Sequence, residues 1–349
     1  MNRSLKVDLT DIQFSGVLRN RGYDQSFYTR YIITAKIIDE IRKSIPSKRS
    51  LKILDLGGYN GAARELLAKD KVTILDIFED NKLDDYIRVD SVGIPRPDDS
   101  FDIVISTDVL EHISRDSRDK FINEALRVAK YGVVILAPFD YGDDEVTKEE
   151  LYAGSIYQGE TGGEYIWLKE HREYGLPKQS WIEELLDKKG IVYAKASHTS
   201  LRLWGNLIAN GFFFADNLYQ VDKRSGNALR KLNETYFNNI AAVDFPKLGY
   251  RTIYVMSKYF SSMELHTPKY QQDVINHFVV ESNVRMGKIF ANMSAELYAR
   301  SDRLKNAEQA LANSSNRVNQ LEDERGRLVN SKAFKLASKL QKIKHKVVG

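Results

Sequence analysis

The stretch Leu54-Asp55-Leu56-Gly57-Gly58-Tyr59-Asn60-Gly61 decides the reading of this chain. An apolar run, Lys52 to Leu56, ends in an acid and runs straight into three glycines at Gly57, Gly58 and Gly61. Glycine has no Cβ, so a turn built from it lets main chain approach a ligand closely. Beyond Gly61 the chain alternates between helix and strand. Arg64 to Lys69 is predicted as helix, Val72 to Ile77 as the next strand, and Ile87 to Asp90, Phe101 to Ser106 and Val133 to Ala137 as three more strands, with a helix over Arg118 to Ala129. Short, almost continuously apolar strands separated by helices imply βαβ units and a parallel sheet buried on both faces. The expected fold is therefore α/β and doubly wound.

Upstream, Phe27 to Ile45 carries Ile32, Ile33, Ile37, Ile38 and Ile41 on one helical stripe and stops at Pro46, so residues 1–48 are expected as an N-terminal helical cap. Downstream, Asp140 to Pro177 loses all periodicity and is expected to be a long active-site loop. Lys178 to Lys189 returns to helix, a strand is expected near Ile191 to Ala196, and Arg251 to Ser257 is expected as the last strand. Between these two strands a largely helical, aromatic-rich insertion over about 203–247 is expected to act as a lid. The α/β domain as a whole is placed at 49–262.

Beyond Pro268 the pattern changes. Leu297, Leu304, Leu311 and Val318 recur every seven residues, with Met293, Ala307, Ser314, Leu321 and Leu328 filling the alternate seam. Sustained heptads predict a coiled coil over 268–330, weakened where Ser314, Arg300 and Arg325 take seam positions. A solvated helix lying on its own domain is the competing reading. The segment 331–349 holds six lysines and no acid, with Ala333, Leu336, Leu340, Ile343 and Val347 on one face. Such a basic amphipathic helix suits an anionic membrane surface or a partner protein, and equally a solvated lysine-rich end.

The 349 residues carry 42% hydrophobic and 29% charged side chains and a formal net charge of +4. That balance is ordinary for a globular protein and gives no concentrated basic face for nucleic acid. No apolar run reaches the ~18 residues of a membrane span, and no signal peptide is expected before the acids of MNRSLKVDLTD. The chain has no cysteine, which excludes disulfides and thiolate chemistry and favours the cytoplasm. No metal-ligand spacing is visible in the sequence, so no metal is expected.

Two nucleotide readings of the glycine turn compete. A dehydrogenase fingerprint needs glycine at its first, third and sixth positions. Counted from Gly57 these are Gly57, Tyr59 and Ala62, and Tyr59 sits where a pyrophosphate must come close. The segment Leu51 to Phe139 instead resembles a class I S-adenosylmethionine-dependent methyltransferase of the common "methyltransferase 11" type. Its acid and spaced glycines match Asp55, Gly57 and Gly61, with Gly58 beside them and Tyr59 departing from the family's usual middle glycine. FDIVISTDVLEHI, Phe101 to Ile113, resembles the family's FDxVxxxxVLEH segment, and LRVAKYGVVILAPF its helix–turn–strand ending in a proline.

The resemblance implies a Rossmann-like methyltransferase sheet and S-adenosyl-L-methionine as cofactor. It implies that Asp55 faces the donor's amino group, that Asp76, beside Ile77, holds the ribose hydroxyls, and that Asp90 meets the adenine amino group with Ser91 and Val92 beside the base. Thr107, Asp108 and His112 would lie near the sulfonium.

Methyl transfer to a hydroxyl calls for a base. His112 and His171 are the candidates, with Glu170 and Tyr174 expected to orient His171. LKEHREYGLP, which contains His171, resembles sugar-tailoring and surface-polysaccharide methyltransferases, some of which join a methyltransferase to a coiled coil. The aromatic residues Trp167, Trp181, Trp204, Phe212 to Phe214, Tyr219 and Tyr236 suit stacking on sugar rings, though the core of a lid uses the same residues. Ala137 stands where adenine methyltransferases place a side-chain acceptor before Pro-Pro-aromatic, which disfavours nucleic acid.

The expectation is an O-methyltransferase acting on a sugar hydroxyl in bacterial surface polysaccharide (O-antigen or capsule) synthesis. It would be cytoplasmic and peripheral on the inner membrane, self-associated through its coiled coil, with a glycan acceptor and a membrane surface or glycan-assembly enzyme as partners. A small-molecule or lipid-linked acceptor is the alternative within enzymes. A coiled-coil scaffold with a vestigial nucleotide site is the alternative outside them.

Overall fold

A computed structural model describes residues 3–14, 25–46, 50–59, 61–78, 84–89, 91–205 and 223–347. These residues divide into two compact units, 1–289 and 290–349.

The first unit is built on a seven-stranded sheet. Its strands are β2 (Lys52–Leu56), β3 (Lys71–Asp76), β4 (Tyr86–Arg88), β5 (Phe101–Thr107), β6 (Ala129–Pro138), β7 (Val192–Ser200) and β8 (Gly249–Ser257). Their spatial order is β4-β3-β2-β5-β6-β8-β7, with β8 antiparallel to both neighbours and the pairs from β4 through β6 parallel. The chain leaves β2 to one side through β3 and β4, then crosses back to pair β5 on the other side of β2. That reversal opens a crevice at the carboxyl ends of β2 and β5, where doubly wound sheets take their ligands. β5 and β8 are buried along their whole length, as strands covered on both faces must be.

Helix α1 (Gln25–Ser44) lays Ile33, Ile37 and Ile41 against the sheet at helical spacing and ends ahead of Pro46. Helices α2 (Ala62–Leu66) and α3 (Arg115–Val128) follow the crevice strands, and α3 buries Phe121, Ile122, Ala125 and Val128.

Two expectations are corrected. The stretch Asp140 to Pro177 is not a loop; it folds into α4 (Glu145–Thr161) and α5 (Ile166–Tyr174). The inward stripe of α4 is Val146, Glu150 and Ala153, all buried, so a carboxylate stands in the middle of what would otherwise read as an apolar face. On α5 the inward pair is Leu168 and His171, again half polar. Burial of ionisable groups hid both helices from a search for apolar periodicity.

The second correction is that β8 is not the last strand. β9 (Ser262–His266) follows it and pairs in parallel with β1 (Ser4–Asp8), so the segment read as a helical cap begins with a strand. Helix α6 (Gln179–Lys188) follows Pro177, close to its expected span, and His171 lies on α5.

Of the expected insertion, the one-turn α7 (Leu201–Leu203) and α8 (Lys223–Asn239) are described, with Trp204 and Tyr236 buried. Phe212 to Phe214 and Tyr219 lie outside the described residues.

Helix α9 (Gln272–Asn330) runs through the end of the first unit and into the second. In the first unit it buries Ile275, Phe278, Ser282, Met286 and Ile289 at steps of three and four residues. In the second it continues to Asn330, followed by α10 (Lys332–Val347), with Leu297, Leu304, Leu311, Val318 and Leu328 exposed. Among the described residues no helix is long and apolar enough to cross a membrane.

Candidate active site

The crevice is a cavity of about 720 Å³. At its floor the turn after β2 is fixed by the Gly57 N–H donating to the Leu75 carbonyl (2.8 Å) and the Gly61 N–H donating to the Gly58 carbonyl (2.8 Å). Gly57 has φ +78°, and a Cβ there would lie 2.3 Å from Val109 Cγ2. Only glycine gives this turn both its conformation and its room.

Asp76 closes β3 beside the turn. Its carboxylate accepts the N–H groups of Ile77 (2.7 Å), Tyr59 (3.1 Å) and Phe78 (3.2 Å). Three main-chain donors hold the acid in place on the cavity wall. Tyr59 and Phe78 meet edge to face at 5.3 Å and, with Ile77, line the same end. Ser91, Val92 and Ile94 form the wall past β4. Asp90 lies outside the described residues.

Asp55, expected to face the cofactor's amino group, is placed differently. It is fully buried beneath the turn and is not on the cavity wall. A Cβ on Gly58 would lie 2.1 Å from its Oδ2, so Gly58 makes room for this carboxyl. Burial pushes Asp55 up to about 8, Arg30 opposing and Asp76 adding to the shift. Gly58, Gly61 and Thr107 likewise support the turn and strand ends without lining the cavity.

After β5 the chain takes a left-handed step at Asp108 (φ 52°), a conformation aspartate tolerates, and enters a single 3-10 turn, Leu110–His112. Asp108 is gripped by two arginines. Arg251 of β8 donates from Nε to Oδ1 (2.7 Å) and from Nη2 to Oδ2 (2.5 Å), and Arg30 of α1 donates to Oδ2. Burial opposes charge on this carboxyl, but Arg251 and Arg30 outweigh it and hold it well below the usual carboxylate range.

The same turn carries His112 to His171. Their Nε2 atoms are 3.4 Å apart and their rings 4.7 Å. His112 Nδ1 lies 2.8 Å from Glu170 Oε2, and His171 Nδ1 lies 2.8 Å from Glu150 Oε1. The Tyr250 hydroxyl donates to the same Glu150 oxygen (2.8 Å), and Trp204 stacks on Tyr250 at 4.0 Å. Glu170 therefore serves His112, and Glu150 does for His171 what was expected of Glu170. Tyr174 lines the cavity, and its main-chain carbonyl accepts from Arg115 Nε (2.7 Å). Arg118 Nη2 donates to the Gly175 carbonyl, and the two guanidiniums fix the carboxyl end of α5, where its dipole is negative.

The two imidazoles differ electrostatically. Burial, and then the charge of His171, depress His112 to about 3. On His171 burial works against the cation, but the hydrogen bond and charge of Glu150, with Glu111 and Asp108, raise it above the ordinary histidine value. Glu111, buried beside His112, is pushed up to about 8 by burial and then by Asp108. Glu111, His112 and His171 each offer one donor atom within 4.8 Å of the others.

Arg30, Glu150, Tyr250 and Arg251 were not singled out in the sequence. They come from α1, α4 and β8, far apart along the chain, and none lies in a motif. A buried stripe interrupted by one acid, at Glu150, is the only signal that was available.

Residues 54–137 match a family model described as a methyltransferase domain, which makes S-adenosyl-L-methionine the cofactor this part of the chain is built for. The glycine turn at Gly57, the anchored carboxylate of Asp76 and the apolar wall at Val92 and Ile94 fit that molecule's amino-acid, ribose and base portions. No curated protein matches the chain. Among solved structures it is similar to a SAM-dependent methyltransferase from Aquifex aeolicus, at 19% identity over 47% of this chain and 81% of that one, with a TM-score of 0.30. It is also similar to the YcgJ protein of Bacillus subtilis, at 12% identity over 63% of this chain and 96% of that one, with a TM-score of 0.34. Neither likeness is close enough to carry an argument about substrate.

Proposed function

We propose that the chain is an S-adenosylmethionine-dependent O-methyltransferase whose acceptor is a sugar hydroxyl, free as a nucleotide sugar or at the end of a glycan. The observation that supports this reading best is the His112–His171 couple. Each Nδ1 is engaged by a carboxylate, and the two Nε2 atoms face the same small region of the cavity wall. A hydroxyl delivered there meets an acceptor for its proton, and Glu150 and Glu170 balance the positive charge that results.

When bound, S-adenosylmethionine supplies an electrophilic methyl group on a sulfonium. Asp76, with three main-chain donors behind it, holds the ribose hydroxyls, and Ser91 and Val92 flank the base. Asp108, kept ionised by Arg30 and Arg251, places negative charge where a sulfonium needs it. The chain's remaining task is alignment, which in-line displacement demands within narrow limits. Trp167, whose ring meets His112 edge-on at 5.2 Å, and Tyr165 and Tyr174 offer apolar faces on the same wall for the ring of a sugar.

The second unit suits assembly. Its exposed leucines keep the heptad spacing of a coiled-coil seam, and its lysine-rich end suits an anionic surface. We read it as joining copies of the enzyme and holding them at the cytoplasmic face of the membrane where surface glycans are made.

Incubation of the full chain with methyl-labelled S-adenosylmethionine and a panel of nucleotide sugars and glycans tests the acceptor. Label is expected in a sugar hydroxyl, and His171→Ala is expected to slow its uptake ~100-fold or more while cofactor affinity is kept. Full turnover in that variant, or label found only on nitrogen or carbon, contradicts the reading.

A further inference from the structure

We infer that Glu111, His112 and His171 form a divalent metal site of the zinc class, open to the cavity, whose remaining coordination position takes the oxygen of the acceptor. Four observations converge on it.

The donor set is two imidazole nitrogens and one carboxylate oxygen, all within 4.8 Å of one another. Two histidines and an acid are the protein ligands of many catalytic zinc centres, which leave a position free for water or substrate. The spacing also fits. Around a tetrahedral ion with bonds of ~2.0–2.1 Å, neighbouring donors stand roughly 3.3 Å apart. The Nε2 atoms of His112 and His171, 3.4 Å apart, meet that spacing, whereas Glu111 Oε1, 4.0 Å from His112 Nε2, has to close in to ligate the same ion. A distance of 3.4 Å is longer than the roughly 2.7–3.2 Å of an ordinary hydrogen bond. The gap is wide enough for one ion to bridge the two rings.

Both imidazoles are also backed in the way metal-binding histidines are. Each Nδ1 meets a carboxylate at 2.8 Å, Glu170 for His112 and Glu150 for His171. Such a partner fixes the tautomer with Nε2 unprotonated and raises its basicity as a ligand. A pair of histidines present only for packing needs neither carboxylate. Finally, Glu111 Oε2 is buried and has no hydrogen-bond partner among the described residues. A buried acceptor left unmet is costly, and a cation at this point satisfies it.

All three residues line the cavity, so an acceptor hydroxyl can reach the open position. An ion there would orient and polarise that oxygen as a Lewis acid; because it would occupy both Nε2 atoms, it would activate the hydroxyl in place of an imidazole base, with the proton leaving to solvent. This last role rests on the hydroxyl-acceptor reading; the site itself rests only on the four observations.

Cobalt(II) provides a direct probe, because its visible spectrum distinguishes a tetrahedral nitrogen–oxygen site from the hydrated ion. The full chain, freed of metal by chelator and dialysis, is titrated with Co²⁺ and then with Zn²⁺. One equivalent of Co²⁺ is expected to develop an intense tetrahedral band that Zn²⁺ displaces. The near-isosteric Glu111→Gln is expected to weaken binding at least ~10-fold, the lower end of what the loss of a ligand's support costs in metal affinity. His171→Ala is expected to abolish the band, with far-ultraviolet circular dichroism confirming that both variants are folded. The spectrum of hydrated Co²⁺ alone, or a band unchanged in both variants, overturns the site.

Methyl transfer by the chelated chain separates this inference from the function it builds on. Transfer to a sugar hydroxyl that is undiminished without metal, together with no Co²⁺ band, sinks the metal site and leaves the hydroxyl reading standing. A Co²⁺ band in a chain that methylates no hydroxyl sinks the hydroxyl reading and leaves the site.

Discussion

The carboxyl groups of Asp55, Glu111 and Asp244 are buried in the first unit, and burial raises each of them to or above neutrality. Asp244 does not line the cavity. Its two oxygens accept the Ser200 N–H at 3.0 and 3.1 Å, which stabilises the anion, but burial dominates and pushes the group up to about 7. An unfolded aspartate titrates near ~3.9. The folded protein therefore binds this proton more tightly than the unfolded chain. The stability it contributes is complete below the unfolded value and is lost as pH rises through the folded one. In Asp244→Asn that contribution is gone. Urea unfolding at about pH 5 and about pH 8 is expected to show the wild type losing more stability on going up than the variant does, because the other groups cancel in the comparison. Equal pH dependence in the two proteins counts against this account of Asp244.

At the scale of elements, α4 and α5 show how a site can conceal the structure that holds it. Glu150 interrupts the inward stripe of α4 because His171 and Tyr250 need its carboxylate. Truncation by Glu150→Ala leaves a buried imidazole and a buried phenol without their common acceptor. A loss of about 3 kcal/mol or more is expected in denaturant unfolding, with slower methyl transfer; a variant as stable as wild type would show that the two contacts are idle. The strands flanking the glycine turn were legible because each is short, apolar and closed by a charged or glycine residue. So was α1, whose isoleucines repeat at helical spacing up to Pro46. The pairing of β1 with β9 was not, since their partners lie more than two hundred and fifty residues apart and each strand has only five residues. Gly57, Asp76 and Asp108, which line one cavity, were readable as local motifs. The contacts of Arg30 and Arg251 with Asp108, and of Glu150 with His171, join separate elements, and no local pattern encodes that.

The whole molecule joins a unit with a large crevice to a long helix with an exposed apolar seam. If that seam assembles copies of the chain, Leu304→Glu combined with Leu311→Glu should lower the sedimentation-derived mass to that of one chain and leave cofactor binding intact. A mass unchanged by the double substitution, or a wild type that already sediments as one chain, contradicts the assembly reading.

Everything proposed for the first unit depends on the crevice taking S-adenosylmethionine. Calorimetric titration of that cofactor into the full chain tests this most directly. The account predicts one site per chain with micromolar affinity, weakened about 10- to 100-fold in Asp76→Ala, the range expected when hydrogen bonds to a charged group are removed. A folded wild-type chain that gives no binding heat, or an Asp76→Ala variant that binds as tightly as wild type, would contradict it.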